Sequence, residues 1–415
     1  MSALALVVSL ALSQVAIEHV RVEVGDGTAL DDVTVVLSGG KVQAVGKDAP
    51  APANAQRVDG RGKVLTPGFI EVHSTLGLKE VELEPSTVDD GLPATRPEGL
   101  LVPGYRAADG FNPQSVWIPW VREEGLTSVV AAPVHGLLAG TGVWAPLTGK
   151  LDALSDGKSP VAMFGAVGAG AAEAAGGARG GVWLRLREAF ADARAYGKNK
   201  AAWEQNRWRA LSLAPLHLEA LQPVVQGKLP LVLDVHRASD ILTALAFAKE
   251  EGVRLVILGG TEAYLVAKQL AAAKTPVVLV PSEQVPGSFE QLHARDDAAA
   301  LLSKAGVPLV IGCSDFQKRR LRQEAGLAVA YGLPRNAALS AITLGPAKAL
   351  GLDQDVGTVA PGKRADVVLW SGDPLELSSV AERVFIAGEE QPKDTRQRAL
   401  VQRYLMRIPA AKPTP

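Results

Sequence analysis

The stretch that decides the fold is LPLVLDVHRASDILTALAFAKEEGVRLVIL, residues 229–258. It begins with a short apolar run, residues 229–235, and ends with another, residues 254–258. Between them, residues 239–251 carry apolar side chains at helical spacing, and Ser239 stands where an N-cap is expected. Two parallel strands need a crossover connection, which a helix of this length supplies. The stretch therefore predicts a strand–helix–strand unit.

The same alternation recurs through the middle of the chain. The predicted strands are residues 128–132, 161–167, 229–235, 254–258, 276–280 and 308–311. Repeated strand–helix units predict parallel strands in an α/β domain. Their number favours a TIM-type (β/α)8 barrel over a doubly wound sheet, although the count alone leaves the second open.

Both ends of the chain have a different pattern. Residues 15–65 and 357–388 contain short alternating β-rich runs separated by glycine turns. We therefore expect a small β-sandwich domain built from both termini, residues 15–66 and 355–400. The barrel would occupy residues 67–354.

Composition narrows the function classes. The chain of 415 residues has 43 Lys and Arg against 44 Asp and Glu, and no basic block stands out. Nucleic acid is therefore not expected as a partner. The single cysteine, Cys313, excludes both an intramolecular disulfide and a zinc site made of cysteines. The sequence leaves the oligomeric state open.

The first residues bear on localisation. Residues 3–12 are almost wholly apolar and lead into a small-x-small pattern, which predicts a signal peptide over residues 1–13 and export to the periplasm or the medium. The alternative is an extra strand or an apolar tail on a cytoplasmic protein. The run is too short to span a membrane as a helix, and no other stretch is long and apolar enough. Residues 405–415 are expected to be a flexible tail.

Polar groups stand where predicted strands end, the position of catalytic residues in barrels of this class. They are Glu71, His73 and Thr75 on a first strand, Asp234 and His236 on a second, and Asp315 on a third. Alternate residues of a strand share a face, so the members of each set are expected to point the same way. Two histidines and a carboxylate form a ligand set typical of zinc, with water in the open position.

Two motifs carry a family resemblance. Residues 67–73, PGFIEVH, resemble the amidohydrolase superfamily signature Pro-Gly-hydrophobic-Ile-Asp-x-His-x-His, especially in its imidazolonepropionase-like members. Residues 343–352 and 357–366, TLGPAKALGL and GTVAPGKRAD, are similar to the closing motif of that family, where the chain leaves the barrel. The resemblance covers nearly all of residues 15–388. It implies a metal-dependent hydrolase of carbon–nitrogen bonds with a barrel and a small β-domain.

Carried over residue by residue, the family pattern is only partly present. His73 matches the first histidine of the signature, but Thr75 stands where the second is expected. His236 matches the ligand on the fifth strand, whereas Gly259 takes the place of the histidine expected on the sixth. Asp315 matches the eighth-strand aspartate, which contacts metal and handles protons. The predicted strand at residues 161–167 carries no Lys or Glu to bridge a second ion.

The resemblance thus implies a degenerate site with one zinc or similar divalent ion at most, or none. His73, His236 and Asp315 are the predicted ligands, and Asp315 is also the predicted catalytic residue. Glu71 and Asp234 are predicted as substitute ligands or acid–base groups, because carboxylates also bind zinc. The alternative is that both are buried or rim carboxylates paired with an arginine.

Three functions are compatible with this pattern. The first is a hydrolase of non-peptide carbon–nitrogen bonds, cyclic amides among them, with at most one metal ion. The second is a non-catalytic protein that keeps the fold for binding or as a scaffold. The third is a metal-free hydrolase that uses carboxylates as acid and base.

The loop histidine His135 is interpreted as a surface or packing residue.

Overall fold

The computed structural model describes residues 14–92, 97–155, 160–205, 209–314 and 319–406. The predicted signal peptide and all but the first two residues of the predicted tail therefore lie outside the described residues.

The strands alternate with helices over most of the chain. In chain order the strands are β1 (Val15–Glu23), β2 (Ala29–Ser38), β3 (Lys41–Gly46), β4 (Gln56–Asp59), β5 (Val64–Pro67), β6 (Phe69–Ser74), β7 (Leu126–Ala131), β8 (Gly140–Pro146), β9 (Ala162–Ala166), β10 (Leu231–Val235), β11 (Leu255–Gly259), β12 (Val277–Leu279), β13 (Leu309–Ile311), β14 (Val367–Trp370), β15 (Ala381–Ile386) and β16 (Glu389–Glu390).

The α-helices lie mainly after β9 and its successors. They are α1 (Pro97–Leu100), α2 (Ala107–Gly110), α3 (Ile118–Arg122), α4 (Ala169–Ala174), α5 (Arg179–Glu204), α6 (Pro215–Val225), α7 (Ala238–Glu251), α8 (Ala267–Ala273), α9 (Ala298–Lys304), α10 (Leu321–Ala330), α11 (Arg335–Ala341), α12 (Leu344–Leu350) and α13 (Arg396–Leu405). Within the described part of the chain, none of them combines the length and apolarity needed to cross a bilayer.

The strands form two eight-stranded sheets. The first has the order β16-β15-β14-β5-β1-β2-β3, with β4 paired to β1, and so combines strands from both ends of the described chain. The second runs β13-β12-β11-β10-β9-β8-β7-β6 and is a curled sheet of the TIM-barrel type. It contains all six strands predicted from the middle of the chain.

One strand of the second sheet was not predicted, and it corrects the expectation of an all-parallel barrel. Strand β8 runs antiparallel to both β7 and β9. Only residues 132–139 connect β7 to β8, without a helix, and so short a link cannot return the chain for a parallel pairing. The sequence hides β8 because Gly140, Gly142 and Pro146 interrupt it. At Gly142 a Cβ would lie 2.5 Å from the Phe164 ring, so β8 needs glycine to pack against β9.

Apolar side chains fill the inside of the second sheet. One core cluster takes a buried residue from each of several successive strands: Ile70, Val130, Phe164, Val232, Val256, Val278 and Val310. Ala347 and Leu350 of α12 pack against it from one end. Because the middle of each strand is apolar, polar groups of the sheet are confined to the strand ends, as in other barrels.

Candidate active site

A cavity of about 1260 Å³ opens at the carboxyl ends of the barrel strands. It is bounded by the ends of β6, β9, β10 and β11, and by residues of the long segment that follows β6. Helix α4, which belongs to the Gly- and Ala-rich stretch after β9, forms another wall. Barrel enzymes place their chemistry at this end of the strands, so the cavity is the candidate active site.

Carboxylates dominate the charge of this cavity. Glu82, Asp90, Glu173 and Asp234 line it, and its described lining contains no Lys or Arg. Lys79 lies close by, with its Nζ atom 2.9 Å from Asp90, and neutralises that carboxylate. The remaining carboxylates leave the cavity with a net negative charge.

His73 lies near the end of β6 and faces the cavity. Its side chain is half-buried, and its ring centroid lies 5.6 Å from that of Phe164, another residue of the lining. The expected placement of His73 at the mouth of the barrel is therefore observed.

Asp234 and His236 form a hydrogen-bonded pair at the end of β10. His236 Nε2 lies 3.2 Å from Asp234 Oδ1, and His236 Nδ1 lies 2.8 Å from Thr261 Oγ1 and 3.3 Å from Gln291 Nε2. Burial by itself would lower the pKa of His236, but the hydrogen bond and charge of Asp234 outweigh it, so the pKa is raised. Both ring nitrogens thus already have partners, while Asp234 remains half-exposed to the cavity.

Gly259 explains why the His236 ring takes this orientation. Its φ is +81°, and a Cβ there would lie 2.5 Å from His236 Cε1 and 2.8 Å from Asp234 Oδ1. The imidazole and carboxylate of β10 therefore occupy the space where a side chain on β11 would begin. The sequence showed the loss of the expected histidine at this position, but not that its neighbours fill the space.

Glu71 has different surroundings. Its side chain is only 2% exposed, and its two oxygens accept hydrogen bonds from the backbone N–H of His73 at 3.2 Å and of Cys313 at 2.8 Å. Burial raises the pKa of Glu71 to about 7, although these hydrogen bonds act in the opposite direction. The carboxyl group links β6, the first strand of the barrel sheet, to the chain just after β13, the last. Glu71 therefore stabilises the contact between these two parts of the barrel sheet, and it is not among the residues that line the cavity.

Thr75 and Asp315 complete the set of predicted positions. Thr75 is buried, and its carbonyl oxygen accepts the N–H groups of Leu78 and Lys79 in the turn that follows β6. Asp315 lies in residues 315–318, outside the described part of the chain. The convergence of Asp315 with His73 and His236 consequently stays a prediction.

The described residues do not fit a resident metal ion. Among them there is no group of three His, Cys, Asp or Glu side chains that could hold one. The Nε2 atom of His236 is turned to Asp234, and Gly259 adds no ligand. The imidazole–carboxylate pair can instead hold and transfer protons, since one partner is exposed to the cavity and the other supports it.

His135, predicted as a surface or packing residue, also lines the cavity. It lies in the loop between β7 and β8, is exposed, and has a φ of +69°, a left-handed conformation that few residues other than glycine adopt. Such backbone conformations occur often at functional sites, where surrounding structure holds them in place. The available signal was a histidine directly after a predicted strand and before a glycine.

Comparisons with known proteins agree with this architecture. The sequence model of the Amidohydrolase family matches residues 195–395. The solved structure of an amidohydrolase from Thermotoga maritima MSB8 is 32% identical, covers 91% of this chain and 99% of its own, and superimposes with a TM-score of 0.81. The chain belongs to the amidohydrolase family.

Two curated relatives of this amidohydrolase chain are more distant. An imidazolonepropionase from Cereibacter sphaeroides (strain ATCC 17023) is 28% identical over 85% of this chain and 92% of its own length. Amidohydrolase tasK from Hapsidospora irregularis is 24% identical over 91% of this chain, which spans only 41% of that relative. The family resemblance predicted from the two motifs is therefore confirmed. Family membership alone does not identify the activity or the substrate of this chain.

Proposed function

We propose that this chain hydrolyses non-peptide carbon–nitrogen bonds of small molecules, cyclic amides among them, in the cavity at the carboxyl ends of the strands. The observation that carries the proposal is that His73 and Asp234 line this cavity from two different strands, and that Asp234 is paired with His236. Its volume of about 1260 Å³ is ample for a small substrate. Family membership supplies the reaction class, and the site supplies the groups.

The residues of the site have complementary tasks in this proposal. Asp234 accepts a proton from the attacking water and returns it to the leaving nitrogen. His236 Nε2–H donates to Asp234 and keeps the carboxylate aimed at the cavity, and Thr261 fixes the other side of the ring. His73, which lines the same cavity from β6, is placed to hydrogen-bond the substrate.

At most one divalent ion is part of the proposal, with His73, His236 and Asp315 as its predicted ligands. We assign no catalytic step to this ion, because the described residues do not form a ligand group. Asp315 is proposed as a second proton-handling residue on the strength of the family resemblance alone.

The experiment has two readouts. Protein purified without added metal is assayed for its ion content and for hydrolysis of a panel of five-membered cyclic amides and open-chain amides. Turnover with less than one equivalent of ion, which persists after treatment with a chelator, would support acid–base catalysis by the chain itself. Turnover that requires one equivalent of ion, with release of the ion by His236→Ala, would support the mononuclear form of the proposal.

A non-catalytic binding protein is the second candidate. The observation in its favour is that Gly259 and Thr75 stand where histidines are expected. In addition, His236 and Asp234 occupy the space that a side chain at position 259 would need. Absence of turnover across the panel, together with saturable binding of the same amides, would select this candidate over the hydrolase.

We propose that residues 15–66 and 355–400 form a sandwich-like β-domain separate from a barrel of residues 67–354, supported by the composition of the first sheet. Hydrogen exchange in mild denaturant would then show the strands of each sheet losing protection together.

Export is proposed from residues 1–13, and N-terminal sequencing of secreted protein should find a start near residue 14.

A further inference from the structure

A second groove lies at the amino ends of the same barrel strands. Its volume is about 840 Å³, and it runs between helices α7 and α8. Pro230, Arg254 and Pro276 line it, and these residues directly precede β10, β11 and β12. The groove is therefore at the opposite end of the strands from the candidate active site and does not share its lining.

Four cations and no carboxylate line this groove among its described residues. They are Lys249, Arg254, Lys274 and Lys348, and all four are exposed. Lys348 is the weakest contributor, because Asp26 lies close enough to interact with its charge. The other three form no ion pair with any residue in the described ranges. In a chain with a net charge of −1, such a one-sided lining is a local feature and does not reflect the overall composition.

The carboxylates nearest in sequence are turned away from the groove. Glu250 and Glu251 follow Lys249 directly on α7. Glu250 is held by Arg187 at 3.0 Å, and Glu251 by Arg194, both from helix α5 on the other side of α7. The charge of Lys249 is therefore not neutralised by its own helix, and the groove keeps its positive potential.

Apolar side chains form the floor of the groove. Leu242, Leu245 and Ala246 contribute from α7, and Ala272 and Ala273 from α8. Leu242 is 40% exposed, so part of its apolar surface is open to the groove. Apolar floors with a few charged groups at the rim are typical of small-molecule sites, and the volume lies within their range of roughly 300–1000 Å³.

We propose that this groove binds a small organic anion that carries a phosphate or carboxylate group on an apolar body. The cations supply charge complementarity for the anionic oxygens, and the floor between α7 and α8 receives the body. This site is independent of the proposed hydrolase function, since it uses none of the residues of the carboxyl-end cavity.

Isothermal titration calorimetry on the full chain tests the proposal with a matched set of probes: 2-naphthyl phosphate, 2-naphthoate, neutral 2-naphthol and inorganic phosphate. The two naphthyl anions should bind saturably with one-to-one stoichiometry, at least about 10-fold more tightly than 2-naphthol or inorganic phosphate. Whichever anion binds more tightly identifies the preferred headgroup. The double variant Lys249→Gln, Lys274→Gln should weaken binding of the preferred anion about 5- to 10-fold, as expected for the loss of two exposed charge contacts.

Two controls make the result decisive. Lys198→Gln, Lys304→Gln changes the net charge equally but alters exposed lysines outside the groove, and should leave binding within about 2-fold. Thermal melting shows whether each variant is folded. Equal weakening by both double variants, equal binding of 2-naphthol, tight binding of inorganic phosphate alone, or no heat of binding at millimolar naphthyl anion would each overturn the proposal.

Discussion

The two ends of the barrel strands carry opposite charges. At the carboxyl ends the lining has four carboxylates and no Lys or Arg among the described residues, whereas at the amino ends it has four cations and no carboxylate. Strand β10 connects the two over only five residues, from Leu231 to Val235, or about 15 Å. Because Val232 and Leu233 are buried between them, charge is sorted to the ends of the strand and cannot lie in its middle.

The two ends also differ in how their polar groups are held. At the carboxyl end, Asp234 and His236 are packed against Gly259 and hydrogen-bonded to each other. At the amino end, Lys249 and Lys274 are exposed without ion-pair partners in the described structure. Positioned groups suit chemistry, and exposed unpaired charges suit capture of a ligand. The following predictions test this contrast.

The largest expected effect is on catalysis at the carboxyl end. Replacing Asp234 by Asn removes the proposed proton acceptor while keeping its size, so kcat/KM for the best amide of the panel should fall about 100-fold or more. Asp152→Asn is the control, because Asp152 is an exposed carboxylate that is not part of the cavity lining. A loss of less than about 3-fold in Asp234→Asn would move the proton-handling role to another group.

The packing at the carboxyl end predicts a loss of stability in Gly259→His. The new Cβ would meet the His236 ring and Asp234 in a left-handed backbone conformation, which together should cost about 3 kcal/mol in the free energy of unfolding. Urea unfolding measures it. Gly170→Ala is the control, because a Cβ there would meet no described atom within 4 Å outside its chain neighbours and its own helix backbone. It should change stability by less than about 1 kcal/mol. Unchanged stability in Gly259→His would show that His236 and Asp234 are not held as described.

The raised pKa of Glu71 predicts that the stability of the protein depends on pH. This pKa is about 7 in the folded protein and 4.5 as the ordinary value, so the folded state binds the proton more tightly. Stability is therefore highest at low pH with respect to this group, and falls by about 2 kcal/mol between roughly pH 5 and pH 7, because the unfolded state is ionised there while the buried carboxyl still holds its proton. Urea unfolding in the presence of a chelator should show this fall, and Glu71→Gln should remove that part of it. An equal slope in both proteins would contradict the raised pKa.

The smallest expected effect concerns the acidic lining itself. Glu173 is an exposed carboxylate on α4, so Glu173→Gln should weaken the binding of benzamidine about 2- to 3-fold and leave that of benzoate unchanged or slightly stronger. Competition in the amide assay measures both. Glu188→Gln on α5 is the control for loss of a charge elsewhere. Tighter binding of benzoate than of benzamidine to the unmodified protein would contradict the assigned charge of this cavity.

Local pattern was sufficient for much of the architecture. The alternation of β-branched and helical runs predicted β7 and β9 to β13, because a strand or helix is recognisable within about ten residues. It missed β8, where Gly142, which the close contact with Phe164 requires, breaks the pattern. The motifs at residues 67–73 and 343–366 were enough to assign the family.

By itself, the sequence determined the family, the apolar strands and the polar residues at their ends. Only the tertiary structure decided the reversed direction of β8, the burial of Glu71 against Cys313, and the closure of His236 and Asp234 over Gly259. It also decided that the carboxylates and the cations line opposite ends of the same strands. The physical reason is that a strand's pattern depends on neighbours in the chain, whereas direction, burial and charge environment depend on groups that are distant in sequence and meet only on folding.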